Sequence, residues 1–276
     1  MLTLQSSLET NTKQGGLTIS QVIPGFLKFG EFELSFRPAT IRKYKASLKR
    51  IIALIGDIQI TEFKYANVIE LKEKISRAGG HEAHQAGIIN ALKSLLKYCS
   101  EHLELEVLEY KKVRPPKIKR REVIYLINEE IERFVESIPI WKSWNGKTPG
   151  KYLRMDALRF RTLVEVLLGT GMRISEALSL LREDIDYEKF EAKIIGKGGK
   201  ERVVFFTQRS IEWIQFYLKS RTDDEKKLFI TQRLTSLKTY DVSKLFATYR
   251  KKSGINKKIT PHILRHSVAT HLFKIS

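Results

Sequence analysis

TPHILRHSVATHLF, residues Thr260–Phe273, is the most informative stretch of this sequence. Thr260 is an N-cap residue type and Pro261 suits a first helical position, so the pair predicts a helix starting there. Along it Ile263, Leu264, Val268, Leu272 and Phe273 supply a buried side, while His262 and Arg265, three apart, share another face. A permanent cation and an imidazole then stand together near a helix N-terminus, whose free backbone N–H groups also favour anions. That is a place to hold a phosphate. An ordinary polar surface helix would read the same way, so other parts of the chain must decide.

The 276 residues are enough for two domains with real cores. Fifty Lys and Arg against thirty-one Asp and Glu give a net charge of +19, more than solubility requires. The excess points to a polyanionic partner, nucleic acid ahead of a membrane surface. A ribosome-associated or merely basic protein is the bland alternative. The single cysteine, Cys99, excludes an internal disulfide framework and suits a reducing compartment. It lies in an apolar helical pattern that reads as core packing. No apolar run approaches a membrane span, and the polar N-terminus lacks a signal-peptide core. A soluble, cytoplasmic protein is expected.

Residues 1–16 are polar and aperiodic, a flexible tail. A helical domain follows over 17–107. Leu17–Gly30 has helical spacing through Ile19, Val22, Ile23, Phe26 and Phe29, interrupted at Pro24–Gly25. Pro38–Ile55 carries a stronger stripe of Ile41, Tyr44, Leu48, Ile51, Ile52 and Ile55. Its other face holds Arg42, Lys43, Lys45, Lys49 and Arg50, with no acid between Arg37 and Gly56 to balance them. A charged run is commonly a solvated face; this unbalanced one reads as a contact for a nucleic-acid backbone. Tyr65–Ala78 and Ala83–His102 complete a four-helix set. His81, His84 and His102 lack ligand-like neighbours and read as surface or packing residues.

Residues 108–123, LEYKKVRPPKIKRREV, break the helical pattern at Pro115–Pro116. Lys111, Lys112, Arg114, Lys117, Lys119, Arg120 and Arg121 surround the prolines. The stretch reads as a basic linker that also touches phosphates, with a nuclear-import signal as the runner-up. The second domain, 124–276, opens with a helix near Asn128–Ser137, Asn128 serving as N-cap. Ile140–Tyr152 reads as a loop whose Trp141 and Trp144 either anchor it or stack on bases. Ala157–Gly169 is a buried helix, and Val242–Lys252 another.

After the Thr170–Gly171 turn, Arg173 opens a short helix in which Ile174, Ala177, Leu178 and Leu181 pack inward. Glu176, three residues on, can reach back and fix the Arg173 guanidinium; an ordinary surface ion pair is the plain alternative. Lys193–Ile195 and Arg202–Phe206 flank a Gly-rich turn and predict a hairpin from which Lys197 and Lys200 project. GKGGK is not a nucleotide-binding P-loop, because the spacing and the following residue are wrong. A zinc reading of His262 with His266 lacks an acid or thiol partner.

Together, TGMRISEAL, IIGKGGKERVVFF and TPHILRHSVATHL resemble the catalytic core of the tyrosine recombinases, the phage integrases and Xer-type recombinases. The resemblance covers the second domain closely and the first in architecture only. It implies a mainly α fold with a small antiparallel β-sheet: a helical core-binding domain followed by a catalytic domain. By that resemblance Arg173 and Arg265 clamp the scissile phosphate, and Arg suits this because its planar fork donates two bonds and stays charged. Lys197, following Gly196 as the family's hairpin lysine does, is the general acid for the leaving 5′-oxygen, with Lys200 its rival. His262 bonds the phosphate or assists proton transfer, and Glu176 supports Arg173. Lys200 and Arg202 join the expected DNA contacts. No metal or cofactor is implied. The implied partners are a specific site on double-stranded DNA and further copies of the chain, a tetramer in full-length relatives.

One departure stands out. The family's nucleophile is a tyrosine on a helix beyond the second arginine, and no tyrosine follows Tyr249 here. The chain as given is therefore expected to bind DNA without cleaving it, as a truncated recombinase or as a non-catalytic DNA-binding fragment. A type IB topoisomerase shares the chemistry but would act as a monomer.

Overall fold

The computed structural model describes residues 16–118, 124–139, 151–196 and 199–275. The expected tail therefore lies outside the described residues, Gly16 excepted, as do Trp141 and Trp144. The chain divides into two compact units, Met1–Arg121 and Glu122–Ser276.

Among the described residues the first unit has four α-helices: α1 (Ile19–Phe32), α2 (Pro38–Ile55), α3 (Tyr65–Arg77) and α4 (Glu82–His102). The expected interruption of α1 at Pro24–Gly25 does not occur. Pro24 removes one backbone donor, but Ile19, Val22, Ile23 and Phe26 are buried on one face and keep the helix docked. Gly25 belongs to the packing, since a Cβ there would stand 3.0 Å from the Tyr98 hydroxyl oxygen. Cys99 is fully buried, and burial pushes its thiol up to about 12, so it behaves as a small core residue. The ring of His102 packs 4.1 Å from that of Phe29. The first part of the 108–123 stretch is not free chain. Leu108 and Tyr110 pack against this core and Val113 is fully buried in it, because apolar side chains alternate there with the cations.

The described residues of the second unit form α5 (Asn128–Glu136), α6 (Lys151–Thr170), α7 (Ile174–Ala177), β1 (Ile185–Asp186), β2 (Glu191–Ile195), β3 (Glu201–Phe205), α8 (Gln208–Lys219), α9 (Thr239–Lys252) and α10 (Pro261–Ile275). This is the expected mainly helical fold with a small sheet. The sheet is antiparallel in the order β1-β2-β3, with Lys193 opposite Val203 and Ile194 opposite Arg202. Asn128 is not the cap of α5. The backbone N–H of Ile127 donates to Glu130 Oε2 at 3.0 Å, so Ile127 caps and Asn128 enters the helix.

The core of this unit sits around α6, whose Leu158, Phe160, Leu163, Val164 and Leu167 are buried. Phe160 stacks on Tyr249 of α9 at 5.1 Å and meets Phe246 edge-on. Two buried polar residues of α6 satisfy each other. Arg161 donates to Glu165 at 2.8 Å and to the Val135 carbonyl at 2.6 Å, under the Trp213 ring. Thr260 caps α10 as the sequence predicts, its hydroxyl accepting from the Ile263 N–H at 3.2 Å. Further along α10, Ser267 is fully buried and accepts from the Leu126 N–H at 2.8 Å, while a His271 ring nitrogen lies 2.8 Å from the Leu126 carbonyl oxygen. These bonds fix the helix that carries His262 and Arg265.

Candidate functional site

Four elements of the second unit build one basic site: the end of α6, α7, β3 and the first turns of α10. α6 stops at Gly171, whose φ of +59° is a left-handed conformation that a side chain resists. Two residues later Arg173 caps α7. Its backbone N–H donates to Glu176 Oε2 at 2.7 Å and its guanidinium to Glu176 Oε1 at 3.0 Å. Arg202 of β3 takes the other side of the same carboxylate, donating at 3.1 Å to Oε1 and 2.8 Å to Oε2. The Glu176 side chain is only 5% exposed. Burial pushes its carboxyl upward, but the hydrogen bonds from Arg202 and Arg173 outweigh that and hold it below the ordinary glutamate range.

Gly196, where the β2–β3 turn begins, presses against this group. Its N–H donates to the Lys200 carbonyl at 2.8 Å, and a Cβ on it would stand 2.9 Å from an Arg202 guanidinium nitrogen. The root of the hairpin thus touches the carboxylate network. Lys197 itself lies outside the described residues, as do Lys119, Arg120 and Arg121.

Arg265 comes from α10 and donates to the Gly171 carbonyl at 2.6 Å, which pins its guanidinium at the end of α6. Burial lowers its proton affinity most, and the nearby cations Arg173 and Arg202 lower it further against the opposing pull of Glu176. It remains charged all the same, as guanidinium does in proteins. Among the described residues three guanidiniums therefore face a single carboxylate, an excess that an anion would relieve. His262 is exposed on the first turn of α10, and its Nε2 lies 3.0 Å from that of His266. Burial, then His266, Arg265 and Arg173, hold the His262 imidazole below its ordinary value, so it is neutral at neutral pH. Arg173, Arg265 and His262 are brought together although the first lies 89 and 92 positions before His262 and Arg265 in the sequence. Among the described residues no cluster of three or more His, Cys, Asp or Glu could hold a metal ion.

Residues 145–275 match the phage integrase family. Over 266 residues the chain is 31% identical to the tyrosine recombinase XerC of Proteus mirabilis, covering 94% of this chain and 82% of that protein. The chain belongs to the tyrosine recombinase family. It is also 35% identical over 203 residues to the tyrosine recombinase XerA of Pyrococcus furiosus, 72% of this chain and 63% of that one. Its fold is similar to that of a lambda integrase dimer bound to a COC′ core site, with a TM-score of 0.73, 16% identity, and coverage of 94% and 88%. The Tn1549 transposon integrase in complex with transposon right end DNA gives a TM-score of 0.72 at 17% identity, with the same coverage of each chain. The family is one of enzymes.

Other expected residues lie elsewhere. Arg42, Lys43, Lys45, Lys49 and Arg50 are all exposed along α2, and none pairs with an acid among the described residues. Lys43 and Arg50 flank a groove of about 460 Å³ floored by Ala46, Ser47, Ala83 and Gly87. In the basic stretch Lys111, Arg114 and Lys117 are exposed, whereas Lys112 pairs with Glu109 at 3.3 Å. Lys200 is exposed, as a turn residue should be. Arg202, read from sequence as a DNA contact, spends its guanidinium on Glu176. The signal for this was present: Arg202 shares strand parity with buried Val204 and so belongs to the inner side of β3. Tyr249 is buried in the core of the second unit.

Proposed function

We propose that this chain is a site-specific DNA recombinase whose Arg173, Arg265 and His262 bind the scissile phosphate of a double-stranded DNA site in the cytoplasm. The convergence of two guanidiniums and an imidazole on one basic site, with the first guanidinium held by Glu176 and Glu176 in turn by Arg202, is the observation that carries this reading. Such a set suits the pentacoordinate state of phosphoryl transfer, where negative charge grows on the non-bridging oxygens. Arg173 and Arg265 would each donate to those oxygens, already fixed by Glu176 and by the Gly171 carbonyl, so little reorganisation is left for the reaction itself. His262, neutral at neutral pH, would donate to an oxygen or move a proton. Lys197, on the turn that starts at Gly196, would protonate the leaving 5′-oxygen as a tyrosine forms the 3′-phosphotyrosyl bond. The exposed cations of α2, with Lys111, Arg114, Lys117 and Lys200, would neutralise flanking phosphates. Self-association on DNA would bring two such sites together.

Tyr249 is not a candidate for that tyrosine: its ring is stacked in the core and burial raises its hydroxyl above the ordinary value. A nicked suicide substrate run on a denaturing gel tests the reading. Residues 1–276 should give no covalent band, and residues 1–276 continued by a relative's tyrosine-bearing segment should give one. That band should vanish in Arg173→Ala and in Arg265→Ala. A band from residues 1–276 that disappears with Tyr249→Phe would overturn the assignment.

A further inference from the structure

We infer that His266 is a positioning residue for His262: it donates its Nε2–H to the Nε2 of His262 and so holds that ring as the neutral tautomer protonated on Nδ1. The inference rests on the reading above that His262 meets the phosphate, and adds the device that sets which nitrogen can donate to it. The two residues are one helical turn apart on α10, their ring centres 4.3 Å apart at 77° and their Nε2 atoms 3.0 Å apart. One hydrogen occupies that line, so the rings must take opposite roles and their tautomers are coupled.

The direction follows from the charges. Arg265 on the same helix and Arg173 at the start of α7 act on His262, with Arg202 and Glu176 beyond them. Burial and these cations make His262 the poorer seat for an added proton. The hydrogen shared on the Nε2–Nε2 line therefore sits on His266, the ring farther from the guanidiniums' pull. His262 stays neutral, with Nε2 filled and Nδ1–H left as the donor it can offer an anion. His262 takes a charge only when pH falls through its lowered value, and its Nε2 then no longer accepts.

Long-range ¹H–¹⁵N spectra of the imidazoles of the full chain, recorded across pH, test this. At neutral pH His262 should show a protonated Nδ1 and a bare Nε2. His266→Phe keeps a ring but no donor; it should lose that signature and move the His262 midpoint upward. His266→Gln, whose amide can donate to the same nitrogen, should keep the Nδ1–H form. A residue that merely fills space would leave the tautomer untouched in His266→Phe, and that result would overturn the inference. So would a wild-type His262 protonated on Nε2, which decides the matter even if the Phe variant fails to fold. Inorganic phosphate added to the wild type should shift the His262 signals. If it does not, the phosphate reading fails while the tautomer result stands on its own.

Discussion

Among the described residues Glu176 is the one negative charge amid guanidiniums that would otherwise repel each other, and it accepts four hydrogen bonds from Arg173 and Arg202. Glu176→Gln keeps the shape but offers a single carbonyl oxygen and turns an amide N–H₂ toward donors. Urea unfolding should show a loss of about 1–3 kcal/mol, as for hydrogen bonds to a buried charge. The pH dependence has a definite sign. Because the folded carboxyl lies below its ordinary value, its contribution is complete above the unfolded value and is lost as pH falls through the folded one. The wild-type advantage over Glu176→Gln should therefore shrink only in acid. An advantage that instead grew on acidification would contradict the network. The Arg173–Glu176 contact was legible from their i, i+3 spacing. The second claim on Glu176 was legible only in part: strand parity turns Arg202 inward, but the acid it meets is set by how β3 packs against α7.

At the scale of elements, the hairpin and α7 are joined by Arg202 and Glu176, with Gly196 packed against that pair. Gly196→Ala would place a methyl 2.9 Å from the Arg202 guanidinium and 3.3 Å from the Lys200 carbonyl oxygen. The neighbours must shift, so Arg202 should be displaced from Glu176 and the variant should lose about 1–2 kcal/mol, read by thermal unfolding. It should lose little more when combined with Arg202→Ala, since the two changes act on one contact. Additive losses would show that Gly196 matters for another reason. Most elements could be read from the sequence because apolar periodicity fixes them: α2, α4, α9, α10 and the hairpin are cases. α1 was harder, since Pro24 and Gly25 argue locally against a helix that tertiary burial sustains. α8 was not read at all, and β1 has only two residues, too few to carry a pattern.

For the whole molecule, the net charge of +19 is arranged so that α2 exposes five cations without acids while the second unit concentrates guanidiniums at one site. The first feature was visible in the sequence; the meeting of Arg173 with Arg265 needed the fold, because α6 and α10 must pack before the two helix starts converge. If many phosphates are contacted, affinity for duplex DNA should fall roughly a thousandfold or more between 50 and 200 mM salt. Neutralising Arg42, Lys43, Lys45, Lys49 and Arg50 together should flatten that dependence. The central claim is narrower: one phosphate belongs to Arg173 and Arg265. It is tested most directly on a duplex recovered by selection from a random pool, with single phosphates replaced in turn by uncharged methylphosphonates. At one position per bound protomer, neutralisation should weaken wild-type binding about tenfold, or about 1.4 kcal/mol. At that position it should leave the Arg173→Ala/Arg265→Ala variant unchanged. Equal weakening of both proteins at every position would contradict the account.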